Sequence, residues 1–287
     1  MSVASVLVET AIISALYALV AIGFTLIFGV GGVLNLAHGA SITVGAYTTY
    51  YVTRVFGYGV GVGILAAVAA SGLFGAVLYL GLVKRIQDEP ILVMITTLVT
   101  AVAIEQVVVV LVGTEEKSIP ALLRGNADIL GTNVQLNMLA VFVLSWVVIA
   151  GLFAFVNYTK AGKALLATSM SHKGAALVGI EADRINLMTW VLAGAIAGLA
   201  GVFLGSFQTA SYAMGQGPLV LSFTIVVLGG IGSIKGSVLG AYLIGFLEIM
   251  TIEYISPSLT GLTPLIVLVA VLLAKPEGLF GRELVEA

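Results

Sequence analysis

Cysteine is absent from this 287-residue chain, histidine occurs only twice, and charged residues make up only 9% of it. Without cysteine the chain can form neither a disulfide bond nor a thiolate metal site. Neither histidine lies in an HExxH pattern, and no GxSxG nucleophile sequence is present. The net charge is −2 with no long basic run, which gives no basis for binding nucleic acid. We therefore expect no metal, no cofactor, no hydrolytic activity and no nucleic-acid partner.

Apolar residues dominate the composition instead. Hydrophobic side chains make up 60% of the chain and its mean hydropathy is +1.17, values that exclude a soluble globular domain. One membrane-spanning helix with its connection takes roughly 20 to 30 residues, so about eight to ten helices fit. The composition predicts an all-α polytopic integral membrane protein. Residues 1–287 are expected to form a single transmembrane domain, with the lipid bilayer as solvent.

Nine apolar runs are candidates for helices. They cover residues 6–30, 33–52, 58–83, 91–112, 136–156, 185–210, 219–231, 237–255 and 262–274. The runs at 219–231 and 262–274 are shorter than a full crossing, so either one is tilted, partial or fused with its neighbour. The expected count is therefore eight to nine transmembrane helices.

Basic residues are distributed unevenly between the two sides of a nine-helix arrangement. One side carries Lys84, Arg85, Lys160, Lys163, Lys173, Arg184, Lys235, Lys275 and Arg282. The other side carries only Arg54, Lys117 and Arg124. The positive-inside rule makes the richer side cytoplasmic. In a cell membrane (plasma or inner) it predicts a cytoplasmic C-terminus, an external N-terminus, an external connection at about 113–135 and a cytoplasmic connection at about 157–184.

Polar residues interrupt the second apolar run. Asn35 and His38 are unfavourable in hydrocarbon, so they need protein or water around them. If a helix begins near Val33, then Asn35, His38 and Gly39 lie on one face, because their separations approximate whole helical turns. The two polar side chains then either bond to a neighbouring helix or border a permeation path.

Two glycine-rich segments are predicted to break helices. The glycines concerned are Gly29, Gly31 and Gly32 in the first segment and Gly229, Gly230, Gly232 and Gly236 in the second. Glycine permits such bends because it has no Cβ. The second segment superficially resembles a phosphate-binding loop, but Ile234 precedes Lys235 where that motif requires glycine. No nucleotide site is therefore predicted.

Acidic residues within the spans are few. Glu105, near the middle of the fourth run, is the one whose insertion into the bilayer costs the most free energy. A charge at the centre of a bilayer costs roughly 2.5 to 3.5 kcal/mol on insertion scales. We expect Glu105 to face the bundle, a partner subunit or water. Its role is either structural pairing or a place on a translocation path.

The connection at about 157–184 contains a mildly amphipathic stretch. Residues 161–178 are rich in good helix formers, and Gly179 indicates a C-terminal stop. A short amphipathic helix held between two spans is suited to docking in a groove of another protein. The alternative is a surface helix whose lysines only satisfy the positive-inside rule. The connection at about 113–135 is either a solvated cap or a contact for an external binding partner.

Three stretches resemble sequence blocks of the membrane permeases of branched-chain amino acid ABC importers. They read GFTLIFGVGGVLNLAHG at residues 23–39, VLGGIGSIKGSVLGA at 227–241 and AKPEGLFGR at 274–282. Their order and spacing match that family over nearly the whole chain. The resemblance implies a non-catalytic permease subunit that forms the translocation path for branched-chain amino acids.

The same resemblance implies partners and residue roles. The partners are a second membrane permease subunit, two cytoplasmic ATP-binding subunits and an external solute-binding protein. Asn35, His38 and Gly39 correspond to residues that line or shape the path. The loop at 160–180 corresponds to the ATPase-docking element, with coupling residues Gly162, Lys163, Ser169, Met170, Ser171, Lys173 and Gly179.

Two alternatives stay open at this point. Permeases for urea and short amides are built on the same plan, so the solute is an amino acid or a small amide. An autonomous secondary transporter or channel would need its own ion-coupling groups, for which Glu105, Glu248 and His38 are the candidates.

Overall fold

The computed structural model describes residues 3–129, 131–275 and 278–279. Most of these residues are helical. The α-helices are α1 (Val3–Gly31), α2 (His38–Tyr50), α3 (Val60–Gly81), α4 (Pro90–Val112), α5 (Leu136–Tyr158), α6 (Lys160–Met170), α7 (His172–Leu177), α8 (Ala182–Phe207), α9 (Gln216–Gly229), α10 (Ile234–Tyr254) and α11 (Leu262–Ala274). Most of the third quoted sequence block, including Arg282, lies outside the described residues.

Short elements complete the chain. A π-helical turn, Tyr51–Val55, extends α2, and 3₁₀ turns occupy Val83–Arg85 and Pro257–Leu259. The connection between α4 and α5 contains an antiparallel hairpin of β1 (Asn126–Ile129) and β2 (Thr132–Gln135). The side chain of Asn137 holds this connection to the bundle. Its Oδ1 accepts from the Leu122 N–H at 2.8 Å, and its Nδ2 donates to the Ser206 carbonyl at 3.1 Å.

Six helices among the described residues are long and apolar enough to cross a membrane: α1, α3, α4, α5, α8 and α10. Two shorter apolar helices, α9 and α11, accompany them. The predicted all-α polytopic membrane fold is confirmed. The predicted count of eight to nine spans is compatible with six long helices together with the shorter α2, α9 and α11.

Polar contacts identify the two ends of the bundle. At what we call the Lys84 end, Lys84 Nζ pairs with Asp183 Oδ2 at 2.8 Å, so α3 ends where α8 begins. At the opposite, Arg54 end, Arg54 Nε donates at 3.4 Å to a carbonyl of the α4–α5 connection. The Val30 carbonyl lies 2.9 Å from Nε2 of His172, shortly before α8. α1 therefore runs toward the Lys84 end and α8 runs away from it.

Helix α8 packs closely against both α2 and α3. A Cβ added at Gly194 would collide with the Ser71 carbonyl on α3, and one added at Gly201 would collide with the Ile42 carbonyl on α2. Gly45 on α2 is equally close to Gly198 on α8. These glycines let the backbones approach without intervening side chains, which is how membrane helices gain van der Waals contact. Helices α1 and α8 form the buried centre, whereas α4 lies mostly exposed at the periphery.

Two sequence predictions about helix boundaries were wrong. The second helix begins at His38 rather than near Val33, so Asn35 precedes the helix instead of sharing a helical face with His38. The stretch at 161–178 forms two helices, because Ser171 adopts an extended conformation and caps α7 through a 3.0 Å bond from the Gly174 N–H to its Oγ. The stop at Gly179 is confirmed: its φ is +81°, and the Ile180 N–H reaches back to the Ala175 carbonyl.

Candidate functional site

The chain turns back into the bundle after α1. Gly32 has a φ of +64°, and residues 32–35 form no helix or strand before a turn leads into α2. His38, the first residue of α2, places its Nε2 3.0 Å from the Val20 carbonyl. Val20 lies 11 residues before the end of α1, a distance of roughly 16 Å along that helix. Helix α2 therefore begins deep inside the bundle and runs from there toward the Arg54 end.

A second re-entry follows α8 from the opposite end. Residues 208–215 lead from the Arg54 end to Gly215, which lies directly against Gly39 in the first turn of α2. Helix α9 starts at the next residue and has 14 residues, so it covers roughly 21 Å on its way to the Lys84 end. Each of the two short helices thus crosses only part of the bundle.

The starts of α2 and α9 meet at the same depth, and the two helices run in opposite directions. A Cβ at Gly39 would collide with Gly215, and a Cβ at Gly215 would collide with Gly39. Helix N-termini expose unsatisfied N–H groups and carry partial positive charge. Discontinuous helices of this kind, related by inverted topology, recur around the solute sites of membrane transporters.

Buried hydrogen bonds hold the first re-entry in place. Asn35, which is only 4% exposed, accepts from the Ala37 N–H at 3.0 Å through its own side chain. The Leu36 N–H donates to Thr97 Oγ1 on α4 at 3.1 Å. The His38 ring is fully buried, with the ring of Phe24 edge-on at 5.8 Å. Asn35 and His38 therefore contact protein and are not exposed on an open channel surface.

Glu105 occupies a different position from these buried residues. Its two carboxylate oxygens accept hydrogen bonds from Nε2 of Gln216 at 3.1 and 3.0 Å. Gln216 is the first residue of α9, directly after the Gly39–Gly215 contact. Glu105 is half-buried and Gln216 is exposed. Of the path residues named from the sequence, Glu105 is thus the one that reaches an open surface, and it does so beside the junction of α2 and α9.

The predicted break glycines divide into two groups. Gly32, Gly230 and Gly232 have positive φ values of +64°, +91° and +76° and lie in the breaks themselves. The other four lie within helices, namely Gly29 and Gly31 in α1, Gly229 in α9 and Gly236 in α10. Gly29 lies against Gly232, and Gly229 lies against Gly236, so these pairs permit close contact rather than bending.

The proposed coupling residues lie on α6, α7 and the turns that flank them, at the Lys84 end. Gly162 is buried against the end of α5, whereas Lys163, Ser169, Ser171 and Lys173 are exposed. Apolar side chains are exposed beside them, at Met170 (71%), Leu177 (89%) and Val178 (74%). A surface that combines exposed apolar side chains with lysines, adjoining the starting turn of α8, is suited to contact with another protein.

Gly215 and Gln216 were missed by the sequence predictions. The sixth apolar run ends at residue 210 and the seventh begins at 219, so both residues fall in a predicted connection. Pro218, in the first turn of α9, is the local signal that marks a helix start here. The contacts of Gly215 with Gly39 and of Gln216 with Glu105 join residues far apart in sequence, so no local pattern reveals them.

The bundle and its paired re-entries define a multi-pass membrane protein with the architecture of transport proteins. Residues 6–272 match the family model described as the permease component of branched-chain amino acid transport systems. This match covers most of the chain, so the chain belongs to that permease family.

Individual relatives agree with this assignment. The chain is 28% identical to the high-affinity branched-chain amino acid transport system permease protein LivH of Salmonella typhimurium, over 94% of this chain and 92% of that protein. It is 29% identical to BraD of Pseudomonas aeruginosa, a permease protein of the same type of system, over 98% and 96%. A solved structure of PsaBC from Streptococcus pneumoniae in complex with Fab is similar in fold, with a TM-score of 0.55, 16% identity and coverage of 95% and 92%.

Proposed function

We propose that this chain is the translocation subunit of an ATP-driven importer of branched-chain amino acids. The observation that carries the proposal is the junction of α2 and α9, where two part-length helices begin inside the bundle of a member of this permease family. Such junctions lie near solute sites in transporters. Gly39, Asn35 and His38 shape the junction through close packing and buried hydrogen bonds, and Glu105 lines the path beside it.

The proposed orientation places the Lys84 end in the cytoplasm. The elements that begin or finish at this end carry most of the basic residues, which is the pattern that the positive-inside rule assigns to the cytoplasmic side. The N-terminus is then external, and the hairpin of β1 and β2 faces the external solute-binding protein. The partner permease and two ATP-binding subunits complete the assembly.

Reconstitution tests this function directly. The chain, with its partner permease, two ATPases and loaded binding protein, is expected to accumulate a branched-chain amino acid in liposomes when ATP is present. The chain alone is expected to show no uptake under a proton or sodium gradient. Uptake by the chain alone would overturn the proposal in favour of an autonomous carrier, and ATP-driven uptake of urea or acetamide in place of the amino acid would overturn the proposed solute.

Coupling to the ATPases is proposed to run through α6 and α7. Lys163→Glu and Lys173→Glu reverse the charge of exposed residues on these helices, so binding protein should no longer stimulate ATPase activity while insertion and fold stay intact. Lys235→Glu is the matched control, because Lys235 is also exposed at the same end but lies on α10. Stimulation that survives both α6–α7 substitutions would show that the ATPases dock elsewhere.

A further inference from the structure

Glu105 and Gln216, which we call the Glu105–Gln216 site, form a polar surface at membrane depth that this chain does not cover. Glu105 lies seven residues, roughly 10 Å, before the end of α4. Gln216 is exposed at the start of α9. A carboxylate at this depth is unfavourable against lipid and should face either water or another protein. The site therefore marks the side of the chain that is not in contact with acyl chains.

Within the described part of the chain, Glu105 has no basic partner. The two ion pairs found there join Lys84 to Asp183 and Lys117 to Glu115. No lysine or arginine occurs between residues 86 and 116 or between 185 and 234, which include the whole of α4 and α9. A second copy of this chain would carry the same segments, so it would also present no basic residue from α4 or α9. A positive charge that complements Glu105 would therefore have to come from another molecule or from another part of the assembly.

The hydrogen-bonding capacity left at this site is for donors. Gln216 Nε2 is shared between the two oxygens of Glu105, and each carboxylate oxygen has a further lone pair. Gln216 Oε1 accepts no hydrogen bond from the described residues. The site therefore presents three oxygen acceptors and a negative charge, which suits a group with several N–H donors and a positive charge.

An apolar cluster adjoins the site toward the Arg54 end. Val108, one turn after Glu105 on α4, belongs to a small hydrophobic cluster that Met214, Tyr212 and Val112 border as partly buried neighbours. Met214 is two residues before Gln216. Acceptors and apolar side chains thus lie next to each other, as an amphiphilic solute with a charged amino group and a branched apolar side chain requires.

From this arrangement we propose that the Glu105–Gln216 site binds the ammonium group of the transported amino acid during its passage. This inference rests on the proposed function and deepens it. A charge-assisted hydrogen bond to Glu105 favours an ammonium group over the uncharged N–H groups of urea or a simple amide. The site therefore contributes to selection for amino acids within the membrane, in addition to selection by the external binding protein.

Thiol labelling tests where the site lies and which charge it attracts. The chain has no native cysteine, so Gln216→Cys provides a single thiol beside an intact Glu105. In the reconstituted assembly, with each rate divided by the rate of the same reagent with a free small thiol, we expect a trimethylammonium methanethiosulfonate reagent to react roughly tenfold faster than its sulfonate counterpart. Gln216→Cys combined with Glu105→Gln should remove this preference. Val110→Cys is the matched control on α4, because its 82% exposed side chain lies roughly 140° around the helix from Glu105 on a largely unburied apolar helix, so it should resist both water-soluble reagents.

The labelling outcomes distinguish a solute-binding site from a covered surface and from an open surface without charge preference. Leucine should slow the cationic reagent at Gln216→Cys, whereas urea at the same concentration should not. If Gln216→Cys resists both reagents in the assembly, the site is covered by the partner permease and the proposal is wrong. If it reacts with both reagents at equal rates after this division, Glu105 does not attract cations and the proposal is equally wrong.

Uptake assays supply the second test. Glu105→Gln should lower ATP-driven uptake of the amino acid roughly ten- to hundredfold, the range expected for losing a hydrogen bond to a charged group. Glu105→Asp should retain part of the activity, and binding-protein stimulation of the ATPases should persist in both variants. Unchanged uptake by Glu105→Gln would refute the site alone. Absence of uptake in the wild-type assembly would instead refute the proposed function.

Discussion

The contact between Gly39 and Gly215 allows a quantitative test of the helix junction. A Cβ at Gly39 would lie 2.5 Å from the Gly215 carbonyl oxygen, whereas ordinary contact begins at 3.4 Å. The two backbones would have to separate by about 3.4 − 2.5 = 0.9 Å to admit the methyl group of Gly39→Ala. The obstacle is backbone on both sides, so no flexible side chain can move away.

Overpacking of this kind costs roughly 1–3 kcal/mol, and the helix propensity of alanine offsets up to about 1 kcal/mol of it. We expect a net loss of about 1–2 kcal/mol. At roughly 2–4 °C per kcal/mol, the scale for soluble proteins of 150–250 residues, the apparent Tm should fall by about 2–8 °C. Thermal unfolding followed by circular dichroism in detergent measures this change, and ATP-driven uptake measures its functional consequence.

A matched substitution separates the contact from the general effect of replacing glycine in a helix. Gly151 lies inside α5, and a Cβ added there meets no atom within 4 Å. Gly151→Ala should therefore leave the Tm unchanged or raise it slightly. Once Gly39→Ala has separated the backbones, adding Gly215→Ala should cost less than it does alone. A Tm for Gly39→Ala equal to that of wild type, or full additivity of the two substitutions, would refute a tight junction.

Two further predictions concern the connections at either end of the bundle. Gly179→Ala places a Cβ on a residue with φ of +81°, which costs roughly 1–2 kcal/mol, so hydrogen exchange of the Ile180 amide should accelerate while that of α5 stays unchanged. Asn137→Ala leaves the Leu122 N–H without its acceptor, which costs roughly 1–3 kcal/mol, so protease should cleave the segment at 113–135 faster. Asn157→Ala is the control for the second substitution, because Asn157 bonds only to its own helix and is exposed; equal cleavage in both variants would contradict the anchoring role of Asn137.

Composition and local pattern predict that the chain is a membrane protein and predict most of its helices, because long apolar runs with few charges are stable as helices that span lipid. The helix end at Gly179 can also be predicted locally, because glycine readily adopts the positive φ that ends α7. The start of α2 is different. Residues 33–37 are largely apolar but are kept out of a helix by contacts with distant parts of the chain, including the Leu36–Thr97 hydrogen bond across 61 residues. Such long-range bonds override local propensity.

The candidate site likewise combines one feature that the sequence predicts with another that depends on long-range contacts. The unfavourable position of Glu105 is visible in the sequence, because a charge within an apolar run requires a partner or water. Its partner Gln216 is 111 residues away and follows a glycine whose only special property is contact with Gly39. The sequence therefore indicates that Glu105 requires a hydrogen-bond donor or water, but it does not indicate that Gln216 is the donor. Only the folded chain brings α4, α2 and α9 together.

The proposed coupling has a short physical route from the Lys84 end to this junction. Helix α7 leads through Gly179 directly into α8, and α8 is in contact with the α2 backbone at Gly198 and Gly201 without intervening side chains. Displacement of α8 must therefore displace α2, because closely packed backbones transmit movement and cannot absorb it. Helix α2 in turn meets α9 through Gly39 and Gly215, so a movement that begins at α6 and α7 reaches the Glu105–Gln216 site through glycine contacts. A substitution that widens any one of these glycine contacts should weaken the coupling of ATPase activity to uptake, even in a variant that still folds.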